Sequence, residues 1–289
     1  MVHYYFKINI PSLDRKVSFR EITIREFINI NKSILNNDYL QISECFDLII
    51  NECCLEKDIQ FTLIDKIIIL LAIRAYSIST FCNIKITDNE VQQEFDHKIE
   101  INDLIESILQ LPIAHKKVCK LDGVEVEYGI PRYPINDVNV VVASEYIHCI
   151  KHNDNIIIDY TNNQKDIQLI IDSLDIKAYT EITNYAKELN ETFNNHPLYK
   201  ILSPWDASRT VIIQRMSLGF KMYDMLKLLF TENLHNLYRT LYTFNTTLNI
   251  PPSYTENMIP VEKDLIWGYH LKDQRDNENG KANKSMFQP

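Results

Sequence analysis

Glycine is scarce, with five residues in a chain of 289. A phosphate-cradling loop needs glycine for close backbone approach, so the shortage argues against nucleotide binding. No Walker-type, dinucleotide-type, GxSxG, HExxH or EF-hand spacing occurs anywhere in the chain. A basic face is missing too. Thirty Lys and Arg against 39 Asp and Glu leave a net charge of −9, which excludes a general nucleic-acid binder as the expected class. The longest apolar run, Ile67–Ile73, falls far short of the roughly 20 residues of a membrane span, and Asp65, Lys66 and Arg74 bracket it. Six cysteines show no CxxC pair and no small-domain disulfide spacing, and the N-terminus has no basic segment followed by an apolar signal core. Free, buried thiols in a reducing cytoplasm are expected.

What is present is aliphatic. In Phe61–Ser79 the centre is apolar at every position, so a helix there must be covered on all sides. Thr62 followed by Asp65 reads as a capping box that starts this helix near Leu63. Arg74 cannot shed its proton. It must find an internal ion pair or a helix C-terminus, or else meet a partner chain or an anionic ligand.

Tyr4–Ile10 and Val17–Ile22 alternate on either side of turn formers and read as a β-hairpin. Ile24–Leu35 and Tyr39–Leu55 carry one-faced helical patterns. With the central helix they make a module over residues 1–80. A mixed α/β region follows over 81–200. It has β-like pieces at Phe81–Thr87 and Val91–Ile99, and a helix at Asn102–Leu111 ended by Pro112. A second hairpin is expected about Asp122-Gly123, a strand at Ile156–Tyr160, and helices at Ile167–Leu174 and Tyr179–Leu189. Residues 201–271 form a helical region. There, steps of three and four from Met222 to Leu248 predict a long amphipathic helix, roughly 40 Å if unbroken, and a last helix begins near Pro260. Residues 272–289 form a polar tail, expected to be disordered without a partner. The fold class is α+β and mostly helical: an N-terminal β-hairpin packed on a helical bundle, a mixed middle with a second hairpin, and long C-terminal helices.

Chemistry is sparse. If their segment is helical, His148 and His152 would share one face beside Cys149, but no third or fourth zinc ligand is spaced to join them, so no metal is expected. Adjacent Cys53 and Cys54 suit packing better than redox chemistry. Glu125 and Glu127 alternate onto the solvated side of a hairpin. No catalytic residue and no cofactor is expected. Tyr238 and Tyr242 on the C-terminal helix, and Trp267 and Tyr269 on the last one, read either as core or as candidate interface residues, since tyrosine and tryptophan are enriched where proteins meet.

Two stretches together resemble a known family. They are the opening FKINIPSLDRKVSFREITIREF and the later FTLIDKIIILLAIRAYSIS, with Ile10-Pro11-Ser12, Phe19-Arg20, Asp65, Ile67–Leu71 and Arg74-Ala75 as the signature positions. They resemble the baseplate hub subunit family of contractile-tailed phages of the T-even type, and MIPVEKDLIWGYHLKDQ looks like that family's closing helix. Ser79 and Thr80 stand where the family commonly has a glycine. The resemblance implies a non-enzymatic part of the tail machine. Its partners would be other baseplate hub or wedge proteins, with no nucleic acid and no membrane span. Its place would be the host cytoplasm during assembly and then the virion tail baseplate. A transient assembly chaperone absent from the mature virion is the alternative. An enzyme with an unfamiliar site around His148 and His152 is the more remote one.

Overall fold

The computed structural model describes residues 4–121, 123–137, 141–152, 155–159 and 176–286. The helix expected at Ile167–Leu174 and the end of the strand expected at Tyr160 lie outside the described residues.

The first module is built as its pattern requires. Strands β1 (Tyr5–Ile10) and β2 (Arg15–Arg20) pair antiparallel with Phe6 opposite Phe19 and Ile8 opposite Val17. Alternation turns these side chains and Ile10 inward. Helix α1 (Ile24–Asn36) starts at a Thr23/Glu26 capping box, and Arg20 forks onto both oxygens of Glu26 at 2.9 and 2.5 Å. Helix α2 (Tyr39–Cys53) follows, capped by Asp38.

Helix α3 (Leu63–Ser77) is buried at every position from Leu63 to Arg74. Its cover comes from β1, α2, α4 (Ile101–Leu109) and α6 (Tyr223–Phe230), so elements from distant parts of the sequence close over one helix. Each buried Ile or Leu contributes about 1.5–3 kcal/mol relative to exposure. Two charged groups on α3 are satisfied internally. Lys66 Nζ meets Asp47 Oδ1 at 2.7 Å and lies 4.2 Å over the ring of Tyr133. Arg74 Nε donates to the carbonyl of Leu229 at 3.1 Å, in the last turn of α6, and its Nη1 donates to the Ser79 carbonyl. Of the alternatives for Arg74, the helix C-terminus is the one realised.

The middle region is richer in strand than its sequence suggests. Strands β3 (Phe81–Asp88) and β4 (Gln93–Glu100) form a hairpin that runs directly into α4. Strands β5 (Lys116–Leu121), β6 (Val124–Gly129), β7 (Ile147–His152) and β8 (Asn155–Asp159) form an antiparallel meander. Gly123, at φ 77°, takes the left-handed backbone that the β5–β6 turn needs. Helix α5 (Ile176–Asn195) leads to a hairpin that sequence periodicity did not predict, β9 (Pro197–Leu202) with β10 (Thr210–Arg215). Arg209 forks onto Asp88, which also accepts from Ser203 Oγ at 3.0 Å, so a part-buried ion pair ties this hairpin to β3–β4.

Two expectations are corrected. The long helix from Met222 to Leu248 is two helices, α6 and α7 (Leu234–Thr246), with Thr231–Asn233 between them. Asn233 Oδ1 caps α7 by accepting from Asn236 N at 3.1 Å, Glu232 N donates to Asn31 Oδ1 at 2.7 Å, and Glu232 Oε1 meets Lys263 Nζ at 2.8 Å. These bonds hold the chain out of helical geometry. The condition under which His148 and His152 would share a helix face is not met: the segment is strand β7, in which Cys149, Ile150 and Lys151 pair with both β6 and β8. The polar tail, expected to be disordered from Lys272, continues as helix: after the short α8 (Pro252–Thr255), α9 runs Pro260–Met286.

Candidate protein interface

The C-terminal helices return to the first module. Ile24 N donates to the Met258 carbonyl at 2.8 Å, and Arg25 N to the Glu256 carbonyl at 3.1 Å, so the free amides opening α1 are met by the α8–α9 connection. Arg25 also pairs with Glu256 at 2.5 Å. With Lys263 bound to Glu232, these bonds fix α7 and α9 on the molecule.

On α7, Leu237 and Phe244 are buried and Leu241 packs against the core. Tyr238 and Tyr242 sit one turn apart on the outer side, 45% and 70% exposed. On α9, Trp267 turns inward, its ring tilted against those of Phe244 at 6.3 Å and His270 at 5.5 Å, whereas Leu265 and Tyr269 are exposed, Tyr269 at 68%. Of the four candidate residues, three present an aromatic ring to solvent and Trp267 supports α9 from beneath. Sequence reasoning missed their neighbour Arg239, also exposed. The signal for it was the charge pattern: from Asn233 to Thr255 the chain holds no Asp or Glu and one basic residue.

The histidines expected to mark any catalytic alternative lead elsewhere. His148 lies in the wall of an open cleft of about 370 Å³, lined also by Ser12, Arg15, His115, Lys116, Glu127 and Arg132. His148 Nε2 donates to the Ile130 carbonyl at 2.8 Å, and Glu127 is paired with Lys116 at 2.6 Å, so neither is held as a general base toward the cleft. Burial pushes the pKa of both His115 and His148 down and leaves them neutral. The side chain of His152 lies outside the described residues. Among the described residues no group of three or more His, Cys, Asp or Glu is placed to hold a metal ion, and no helix is long and apolar enough to cross a membrane.

None of the six cysteines, all among the described residues, is in a disulfide. Burial pushes the Cys53 thiol up to about 12, which keeps it protonated and inert at neutral pH.

The signature residues of the first module explain themselves as structure. Asp65 caps α3 through Thr62 and also binds the turn at Ser12, Phe19 is a core ring 6.1 Å from Phe61, and Arg20 and Arg74 are consumed by internal partners. A sequence pattern built on such contacts reports a shared fold. No curated protein matches the chain, and no solved structure does. The family model described as T4 bacteriophage base plate protein matches residues 1–196, which takes in the whole of the first module and the middle region through α5 and leaves out the C-terminal helices. The chain therefore belongs to the T4 bacteriophage base plate protein family.

Proposed function

We propose that the chain is a non-enzymatic subunit of the phage tail baseplate, in its hub, and that it acts by fitting against other hub or wedge proteins. The observation that carries this reading is the combination of family membership with aromatic residues held outward on the C-terminal helices, at Tyr238, Tyr242 and Tyr269. Rings with few rotatable bonds lose little entropy on contact and bury much area, so a fixed helix presenting them suits a stable joint. The first module is the rigid mount. Assembly takes place in the host cytoplasm and the finished subunit resides in the virion tail.

Mass spectrometry of purified virions tests the reading, since a structural subunit is present at fixed stoichiometry. Absence from the virion together with association with tail intermediates in infected cells would instead favour the transient chaperone. Turnover of a small substrate by the purified chain would overturn both.

A further inference from the structure

We propose that the outer face of α7 is the docking site for a carboxylate-bearing surface of a different protein. The inference rests on the assembly reading above and adds the chemistry of the partner. His235, Tyr238, Arg239 and Tyr242 fall at positions i, i+3, i+4 and i+7 of one helix and are all exposed, opposite buried Leu237 and Phe244. In a chain of net charge −9, this face and the segment around it, Asn233–Thr255, carry no carboxylate at all. The acids that flank the segment are already neutralised, Glu232 by Lys263 at 2.8 Å and Glu256 by Arg25 at 2.5 Å.

The face is also less polar than its sequence reads. The hydroxyls of Thr240, Thr243 and Thr246 donate to the carbonyls of Asn236, Arg239 and Tyr242 at 3.0, 3.0 and 2.9 Å. These hydroxyl protons are already bonded within the helix, so covering the threonines costs little desolvation. The donors this face exposes at these four positions are a guanidinium, an imidazole and two phenols, a set that matches carboxylate acceptors.

Two other occupants fit worse. A second copy related by a two-fold axis would set Arg239 against its own counterpart and bring together two chains of the same negative charge. A nucleic acid needs several cations to replace its counterions, and this segment has one Arg and no Lys.

The test places the photo-crosslinking residue benzoylphenylalanine at Tyr242, and in a separate full-length chain at Tyr269, during virus production, and maps the joined peptides by mass spectrometry. The expected product at Tyr242 is a peptide of another protein with net negative charge. Arg239→Glu lowers its yield about tenfold, Arg239→Lys retains it, and both variants keep the wild-type melting temperature. A crosslink at Tyr242 to a second copy, to nucleic acid or to a net positive peptide overturns the inference. So does a blank at Tyr242 beside a product at Tyr269, which leaves the assembly reading intact, whereas blanks at both positions remove that reading as well.

Discussion

Ser12 and Asp65, 53 residues apart in sequence, are joined twice: Ser12 Oγ donates to Asp65 Oδ2 at 2.5 Å, and Ser12 N to Oδ1 at 3.2 Å. The same carboxylate accepts from Thr62 N at 2.8 Å and Thr62 Oγ1 at 2.6 Å. One buried group therefore starts the central helix and pins the hairpin turn to it. Asp65→Ala should cost about 3–5 kcal/mol, because it strands buried donors from both elements at once. Ser12→Ala removes one of the four bonds and should cost about 1 kcal/mol. Urea denaturation of the two variants checks the ranking. Equal costs would mean that the turn and the helix are held together by something other than this carboxylate.

Glu21 gives a pH dependence of definite sign. It is buried, and its Oε2 has no hydrogen-bond partner among the described residues. Burial raises its pKa, a backbone hydrogen bond to Tyr4 opposes that, and the charge of Glu262 adds to the rise. A carboxyl whose folded pKa lies above its unfolded value binds its proton more tightly when folded. The resulting stability is complete below the ordinary Glu value near 4.5 and is lost as pH rises through the raised one. Glu21→Gln should abolish that fall, leaving the variant more stable than wild type at neutral pH and not at pH 4, as measured by chemical denaturation across that range.

Gly129 marks a place where backbone and ring meet without room to spare. A Cβ there would stand 2.2 Å from the His115 carbonyl oxygen and 3.0 Å from Cε1 of His148. Gly129→Ala must push β6 away from the chain entering β5, at a cost of about 2–4 kcal/mol. The two histidines add an acid sensitivity at the same spot. Burial lowers both pKa values; nearby Arg132 and Lys116 push His148 further down, while its bond to the Ile130 carbonyl and the charge of Glu127 pull the other way, and Asp65 does so for His115. Below the ordinary value of about 6.5 the unfolded chain takes up protons that the folded one refuses, so stability falls as pH drops from there through the lowered values. His148→Gln should flatten that slope in melting curves taken between pH 7 and 5.

How much of this was readable without coordinates depended on where the deciding contacts lie. The central helix was legible because its cause is local: Thr62, Asp65 and an aliphatic run suffice. The break between α6 and α7 was not, since Leu226, Phe230, Leu234 and Leu237 keep helical phase straight through it, and the groups that hold it open, Asn31 and Lys263, come from elsewhere in the chain. Strand β7 was hidden because a short segment such as IHCIKH owes its state to the neighbours on either side. On α7, tyrosine content and spacing pointed to Tyr238 and Tyr242. The outward face itself became definite only once Leu237 and Phe244 were seen to be the buried one, and the same information turned Trp267 inward.

The distal part of α9 separates folding from docking. Lys272 to Asp276 are all exposed, and the contacts that anchor the helix, Lys263 with Glu232 and Trp267 with Phe244, lie upstream of them. The exposed stretch Lys272–Asp276 gains nothing from packing, and an isolated helical stretch of about 15 residues is marginal in water. Deleting Lys272–Pro289 should therefore change global stability by less than about 0.5 kcal/mol. If the extension is ordered against a baseplate partner, that contact has to offset the entropy of fixing it, which keeps early binding weak and makes the affinity depend on the segment. Pull-down of tail intermediates with the full and shortened chains should then recover less with the shortened one at unchanged melting temperature. Equal recovery would assign docking to the faces upstream, leaving the extension no part in assembly.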